Sequence, residues 1–586
     1  MYFPPSYYNA ADSPLDRSGM NTPPADESVV RRLDRLYEYD REPVAENQLH
    51  GCAHFAGMYA GEHVAATEFV IGALFVSWGA RTGDVLIGLL LGNLMAVLSW
   101  TLVCAPIATQ TRLTLYWNLR RIAGPGVTTI YNVLNAVLYC ILAGSMITVS
   151  ASAIRIPFGI PPQTHWYPDD LRFVFVVLGV GAVVVALAIW GFTRLAQFAT
   201  LCAPWMIAMF IAGALATWPN LAASVASAGG KPAGFLEVAR ARIWTGVPAN
   251  GGEAITFWQL AAFAWICNIA MHLGLSDMAI LRYARRPIYG LNSALGMFLG
   301  HYVAWIAAGV MGAAAAMALN QPLTELDSGA VAMNALGVAG AVAVVIAGWT
   351  TSNPTLYRAG LALQAVTPNW PRWKVTLVAG ALTTVVACSP FVFTKLLGFV
   401  GLYGILLAPV GGIVTAYHFV LRKRGAAHQV SSMWDTPALI AWAGGSLGAV
   451  ALWQTGVVHL FFLAVPAWVL SGVLYLVLAK KGNGGSSVTA DARSDSAADA
   501  APHRPSIETA ASGPEGTPSF VKAAGLVALL ALVTCVALPV WVLLSSEVER
   551  ASRIGPFKTW LLVASLVYFV AGSLWIYRRH SNVSAA

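Results

Sequence analysis

Charge is scarce in this chain. Asp, Glu, Lys and Arg supply 11% of its 586 residues while hydrophobic side chains supply 57%, a balance that excludes an ordinary soluble surface. Catalytic signatures are missing as well: no GxSxG, HExxH, Walker or paired-His pattern occurs, and no soluble catalytic domain accompanies the apolar runs, so nothing supports an enzyme. The seven Cys carry no CxxC-like metal-ligand spacing and read as small core residues, with no cofactor or structural metal implied. The net charge of +8 comes from short Lys and Arg clusters without a basic, aromatic-interleaved stripe, which argues against nucleic acid as a partner. The first ~50 residues contain "RRLDRLYEYDRE" and lack the apolar region and cleavage site of a secretory signal, so a cytosolic N-terminal tail is expected.

What is present is a succession of apolar runs of about 20 residues, the length that crosses about 30 Å of hydrocarbon. Roughly fourteen are expected by window hydropathy, near 54–79, 84–107, 127–153, 172–193, 197–217, 254–275, 289–318, 329–352, 374–392, 396–420, 437–454, 457–479, 520–544 and 558–577. Counting from an inside N-terminus, Arg112, Arg120 and Arg121, then Arg194, Arg282 with Arg285 and Arg286, Arg372 with Lys374, Arg422 to Arg424, Lys480 with Lys481, and Arg578 with Arg579 all fall on inner loops. That alternation predicts a multi-pass protein of the cell membrane with both termini cytoplasmic and the lipid bilayer as its surroundings. The composition turns to Gly, Ser, Ala, Pro and Asp from Lys480 to Ser519, as in a flexible linker. The expected organisation is a tail (1–50), a core (51–480), a linker (481–519) and a further helical pair with a C-terminal tail (520–586).

Polar groups inside apolar runs are costly, about 2.5 to 3.5 kcal/mol for a central charge on insertion scales, and mark functional cavities. Three interruptions stand out: "GMYAGEHVAAT" in the first span, "AWICNIAMHLGLSD" in the sixth, and "AGWTTSNPTLYRAG", where Thr350 to Pro354 are expected to end the eighth. Spans one and six occupy corresponding positions in two five-helix halves, as broken helices do in inverted-repeat transporters.

At these residues the sequence resembles the nucleobase:cation symporter-1 family of cytosine, purine, allantoin and hydantoin permeases. The resemblance is carried by "TEFVIGALFVSWG" and "GNLMAVL" in spans one and two, "LSDMAILRYARR" at the end of span six, "WTTSNPTLYRAGLAL" in span eight, and "LGFVGLYGILLAPVGGIVTAYHFV" with Pro409 and Gly411 in span ten. It covers roughly residues 50 to 480. It implies an all-α, leucine-transporter type fold of five plus five inverted repeats and two further helices, about twelve in all, with two more at the C-terminus. The implied activity is import of a small planar nitrogen heterocycle with Na+ or H+. The sequence departs from the family where a Trp on span six would stack the substrate: Asn268 stands there, Trp265 lies one turn earlier, and Tyr139 lies near the span-three Trp position. An Asn can hydrogen-bond a base edge but cannot stack on its face.

The candidate substrate-binding residues are Glu62, His63, Tyr139, Trp265, Asn268, His272 and Asn353. Glu62 and His63 either contact substrate or couple protons, or else form a neutral interhelical pair. Glu68, about 240° around a straight helix from Glu62 at ~100° per residue, is either a coupling carboxylate or a partner-satisfied structural one. Asn268 and His272, four apart, share a helical face, and His272 has a titration range suited to a proton switch. Thr350 and Thr351 resemble the hydroxyl ligands of a Na+ site, against ordinary small-residue packing. Asp277, with Arg282, Arg285 and Arg286, reads as a surface or gating ion-pair network. The expected function is a symporter of a nucleobase-like small molecule. An amino-acid or organic-cation carrier on the same fold, or a transporter-like nutrient sensor, stands as the alternative.

Overall fold

Each expected span coincides with helix in the computed structural model, which describes residues 39, 41–163, 165–229, 234–367, 369–390, 396–424, 432–482 and 519–584. The expected N-terminal tail up to residue 38 and the linker from 483 to 518 lie outside the described residues. Ten of the described helices are long and apolar enough to cross a membrane by length and composition.

The first span is two helices, α1 (Cys52–His63) and α2 (Glu68–Ser77). Then follow α3 (Asp84–Thr111), α4 (Leu115–Ile154), α5 (Leu171–Ile189) and α6 (Phe192–Gly229). The sixth span is again divided, into α7 (Phe257–Ile266) and the single turn α8 (Ile269–His272). Next come α9 (Pro287–Leu319), α10 (Ser328–Leu336), α11 (Val338–Gln364), α12 (Arg372–Ala387), α13 (Leu396–Ala416), α14 (Thr436–Gln454) and α15 (Leu460–Ala479). The chain ends with α16 (Ser519–Leu543) and α17 (Glu547–Ser584).

The two divided spans run antiparallel and are clasped at both ends. One backbone bridge joins His50, just before α1, to Ala284, beyond α8; another joins Arg81, just after α2, to Thr245, before α7. The start of each divided span therefore lies beside the end of the other, as an inverted repeat requires.

One expected interruption is located more finely and another is corrected. Gly57 and Gly61 do not break the first span. They lie inside α1, where a Cβ on Gly57 would strike Thr200 and one on Gly61 would strike Ala199 of α6, so they permit close helix approach. The backbone opens instead at Val64 to Thr67, directly after the Glu62–His63 pair. Nor do Thr350 to Pro354 end the eighth span: α11 continues through Pro354 to Gln364. Proline costs one backbone donor, that to the Thr350 carbonyl, and the helix runs on through it while the neighbouring hydroxyls bond other carbonyls one turn back. Thr351 Oγ1 donates to the Ala347 carbonyl (3.1 Å), Ser352 Oγ to Gly348 (2.7 Å) and Thr355 Oγ1 to Thr351 (2.7 Å). The irregular point of this span is Gly337, whose positive φ of 63° joins α10 to α11.

The C-terminal pair docks on α6. The Tyr568 hydroxyl donates to the Leu201 carbonyl (2.7 Å) and Trp205 Nε1 to Ser565 Oγ (2.9 Å), both buried. Lys558 Nζ donates to the Asn334 carbonyl at the end of α10 (2.8 Å).

Candidate functional site

A cavity of about 70 Å³ lies between the two breaks. Glu62, His63 and Glu68 line it from the first span, Leu142 and Met146 from α4, Phe263 and Asn268 from the sixth span, His301 from α9, Thr351 from α11, and Phe399 and Tyr403 from α13. Five of the candidate residues thus share one cavity: Glu62, His63, Glu68, Asn268 and Thr351. The others stand behind its wall. Tyr139 bonds Ser276 through its hydroxyl and packs edge-on against Tyr403 at 5.6 Å. Trp265 donates from Nε1 to Ser99 Oγ (3.1 Å). His272 is fully buried, with Nε2 3.0 Å from the Trp265 carbonyl and its ring 4.7 Å from Trp100. Asn353 is buried, and neither amide atom has a hydrogen-bond partner among the described residues. Thr350 Oγ1 points to Met206 Sδ (3.7 Å), whereas Thr351 Oγ1 donates to the Glu62 carbonyl (2.9 Å). Both hydroxyls also bond the Ala347 carbonyl at 3.1 Å, and of the two only Thr351 meets the backbone at the break of the first span.

Glu62 is held by a residue the sequence reading had passed over. Arg358 Nη1 lies 2.5 Å from Glu62 Oε1 and Nη2 lies 3.0 Å from Oε2, while Nη2 also reaches Asp277 Oδ1 at 2.5 Å. Asp277 Oδ2 accepts from the Tyr59 hydroxyl and from Trp100 Nε1, each at 2.6 Å. All three charged side chains are buried. A guanidinium presents a planar fork suited to two carboxylates, and here the fork ties the end of α1 to the turn after α8 across α11. Asp277 is accordingly an interior anchor, which corrects its reading as part of a surface or gating network. Arg282 is buried as well, donating to the backbone carbonyls of Tyr39 and Ala279. Arg358 stood in "NPTLYRAG" inside an apolar run, and the criterion that singled out Glu62 would have found it.

Glu68, opening α2, has a different environment. Trp305 Nε1 of α9 donates to its Oε2, and His301 Nε2 lies 3.7 Å from its Oε1. The His301 ring stacks on Trp305 with centroids 4.3 Å apart and lies 5.4 Å from His63. Asn268 Nδ2 is 3.4 Å from His301 Nε2. His63 Nδ1 faces the Tyr59 carbonyl at 2.9 Å. A carbonyl only accepts, so Nδ1 carries the hydrogen, and neutral His63 presents an Nε2 lone pair that has no partner among the described residues. His301 and Trp305 had no place in the sequence reading, although His301 interrupts the apolar run "MFLGHYVAW".

No protein-family model matches the sequence, and no curated protein matches it. Solved structures do. The nucleobase-cation-symport-1 family transporter Mhp1, in a closed conformation with bromovinylhydantoin bound, superposes with a TM-score of 0.58 at 16% identity, covering 76% of this chain and 96% of that one. Mhp1 in an inward-facing conformation gives 0.55 at 16% identity, covering 76% and 95%. A Na+-coupled sialic acid symporter in a substrate-bound, outward-open state gives 0.55 at 12% identity, covering 77% and 93%. At these identities the likeness is one of fold, and the chain has the leucine-transporter type fold that its two antiparallel divided spans and their clasped ends build.

Proposed function

We propose that the chain is a secondary active transporter that imports a nucleobase-like or related nitrogen-heterocyclic small molecule by symport with H+ or Na+. The observation that carries this reading is the cavity between the breaks of spans one and six, lined by Glu62, His63, Glu68, Asn268 and Thr351. Backbone opened at midspan and polar side chains facing it are what a solute site in a bilayer needs. The likeness to Mhp1, seen with bromovinylhydantoin, and to a Na+-coupled symporter supports the same class. Phe263, Phe399 and Tyr403 supply aromatic surface where the expected Trp sandwich is absent, and Asn268 supplies donor and acceptor groups for a ring edge.

Small-molecule sites occupy about 300 to 1,000 Å³, far more than the cavity holds here. Substrate therefore enters by movement of the elements around the breaks, the alternating access of this fold. In this reading the protein is a multi-pass protein of the cell membrane with both termini cytoplasmic, and Glu62, Glu68 and Thr351 are the groups placed to sense the coupling ion.

An acidic lining favours a second reading, an amino-acid or organic-cation carrier. Uptake into proteoliposomes separates the two: radiolabelled cytosine, uracil, allantoin, hydroxymethylpyrimidine and amino acids, with Na+ and pH varied independently. Accumulation of a heterocycle that amino acids do not compete supports the first reading. Accumulation of amino acids or organic cations alone replaces it with the second, and ligand binding without counterflow identifies a sensor.

A further inference from the structure

We infer that Glu68 and His301 form a proton-binding site in the cavity wall and that this proton is the coupling ion, an inference that rests on the transporter reading. The argument begins from which buried carboxylates already have a cation. Glu62 and Asp277 share Arg358, and Asp327, on the loop before α10, is paired with Arg155 at 2.5 Å. Glu68 is as buried as Glu62, both 3% exposed, yet the one basic group within 4 Å of it among the described residues is His301. An ionised carboxylate in that position is costly unless a positive charge joins it, and the groups facing its oxygens, the Trp305 indole N–H and the His301 imidazole, are not the shell of oxygens that a Na+ requires, whereas a proton needs one oxygen.

The two oxygens of Glu68 are not equivalent. Oε2 accepts from Trp305 Nε1, so the carboxylate is held in one orientation and Oε1 is directed at His301 Nε2 and the cavity. Asn268 Nδ2 faces the same imidazole nitrogen, an arrangement that suits a neutral ring with its lone pair on Nε2. A proton reaching the cavity forms its O–H bond at Glu68 Oε1, the oxygen on the His301 side, and cancels the carboxylate charge. The other groups that face Glu68 are His63 and Glu62 across the cavity and Cys267 beside Asn268. None of them supplies a fixed positive charge, since Glu62 is already paired and His63 is bonded through Nδ1 to the Tyr59 carbonyl.

The consequence for transport follows from burial. The closed cavity is compatible with neutral Glu68, whereas ionised Glu68 favours an arrangement open to water. Glu68 itself directly follows the break of the first span, and Asn268, at the break of the sixth, meets it through His301, so both elements whose backbone is already opened adjoin this group.

The test uses the full chain reconstituted in lipid and the proton itself as the probe. Infrared difference spectra are recorded across a pH titration for the wild type, Glu68→Gln, Glu68→Asp and His301→Gln. The wild type is expected to show a protonated-carboxyl stretch that titrates, Glu68→Gln to lack it, and His301→Gln to move its midpoint by about tenfold in proton affinity or more. A band that persists unchanged in Glu68→Gln overturns the inference. Should Glu68→Gln fail to fold, Glu68→Asp and His301→Gln decide: unchanged midpoints in both overturn it, and a shifted midpoint in either upholds it. The same variants are then assayed in proteoliposomes with the wild type's transported compound. Glu68→Gln is expected to lose accumulation driven by a pH gradient by a larger factor than it loses exchange of internal for external solute, and retained pH-driven accumulation overturns the coupling role. If the wild type transports none of the compounds, the transporter reading fails, while the infrared titration still decides whether Glu68 is a proton site.

Discussion

Replacing Arg358 by Met removes the one guanidinium that joins Glu62 to Asp277. Its three contacts, at 2.5, 3.0 and 2.5 Å, are all inside the protein, so water does not replace them. Breaking a buried pair by deleting one partner costs about 3–5 kcal/mol, because the remaining charge is uncompensated, and here two carboxylates are left. Arg358→Lys keeps the charge but offers a single ammonium that cannot span both acids as a planar fork does, so its loss falls between wild type and Arg358→Met. Neutralising the whole triad in Glu62→Gln/Asp277→Asn/Arg358→Met removes the uncompensated charge and is expected to recover much of the loss, as buried ion clusters replaced by neutral groups do. Thermal unfolding in detergent at one fixed scan rate, followed by a thiol-reactive fluorophore on the buried Cys104, Cys202 and Cys535, gives the order of apparent midpoints; the fixed rate matters because such unfolding is irreversible. An Arg358→Met midpoint equal to wild type, or a triple variant no better than Arg358→Met alone, would refute the electrostatic account.

Three further outcomes follow from the packing. Gly411 of α13 lies against the Leu273 carbonyl in the turn after α8, so Gly411→Ala overpacks the sixth-span break at about 1–3 kcal/mol and is expected to lower solute uptake as well as the unfolding midpoint. Asp327 caps α10 through the Ala330 amide (2.8 Å) and pairs with Arg155. Asp327→Ala should therefore lower the midpoint by more than a cap alone, worth about 0.5–2 kcal/mol, and Asp327→Asn, which keeps a capping oxygen, by less. Tyr568→Phe and Ser565→Ala each delete one buried bond between the C-terminal pair and α6, a loss of roughly 0.5–1.5 kcal/mol apiece; limited proteolysis should then release the pair sooner than in the wild type.

The positions of the helices were legible because partition into a bilayer is decided along the chain. Runs of about 20 apolar residues must be helical to satisfy their own backbone, and neither the places of these helices nor the break beside Glu62 and His63 needed knowledge of neighbours. The break of span six was marked by Asn268 and Gly274, and the structure opens the backbone at Asn268 and again through Leu275, whose φ is 64°. The local signal failed at Thr350 to Pro354, where one missing backbone donor does not end a helix buried among its neighbours.

The site was legible only in part, for a physical reason. Burial cost is a property of one residue, so Glu62, His63, Glu68 and Asn268 could be recognised singly as too polar for lipid. What each does about that cost depends on partners brought from far along the chain. Arg358, 296 positions from Glu62, neutralises it, whereas Glu68 meets a tryptophan and a histidine more than 230 positions away and no fixed cation among the described residues. Composition and periodicity determined a membrane-embedded helical scaffold with polar breaks. Tertiary packing alone decided which buried acid is paired with a guanidinium and which meets only an indole and an imidazole, because electrostatic compensation acts through space over a few ångströms and not along the sequence.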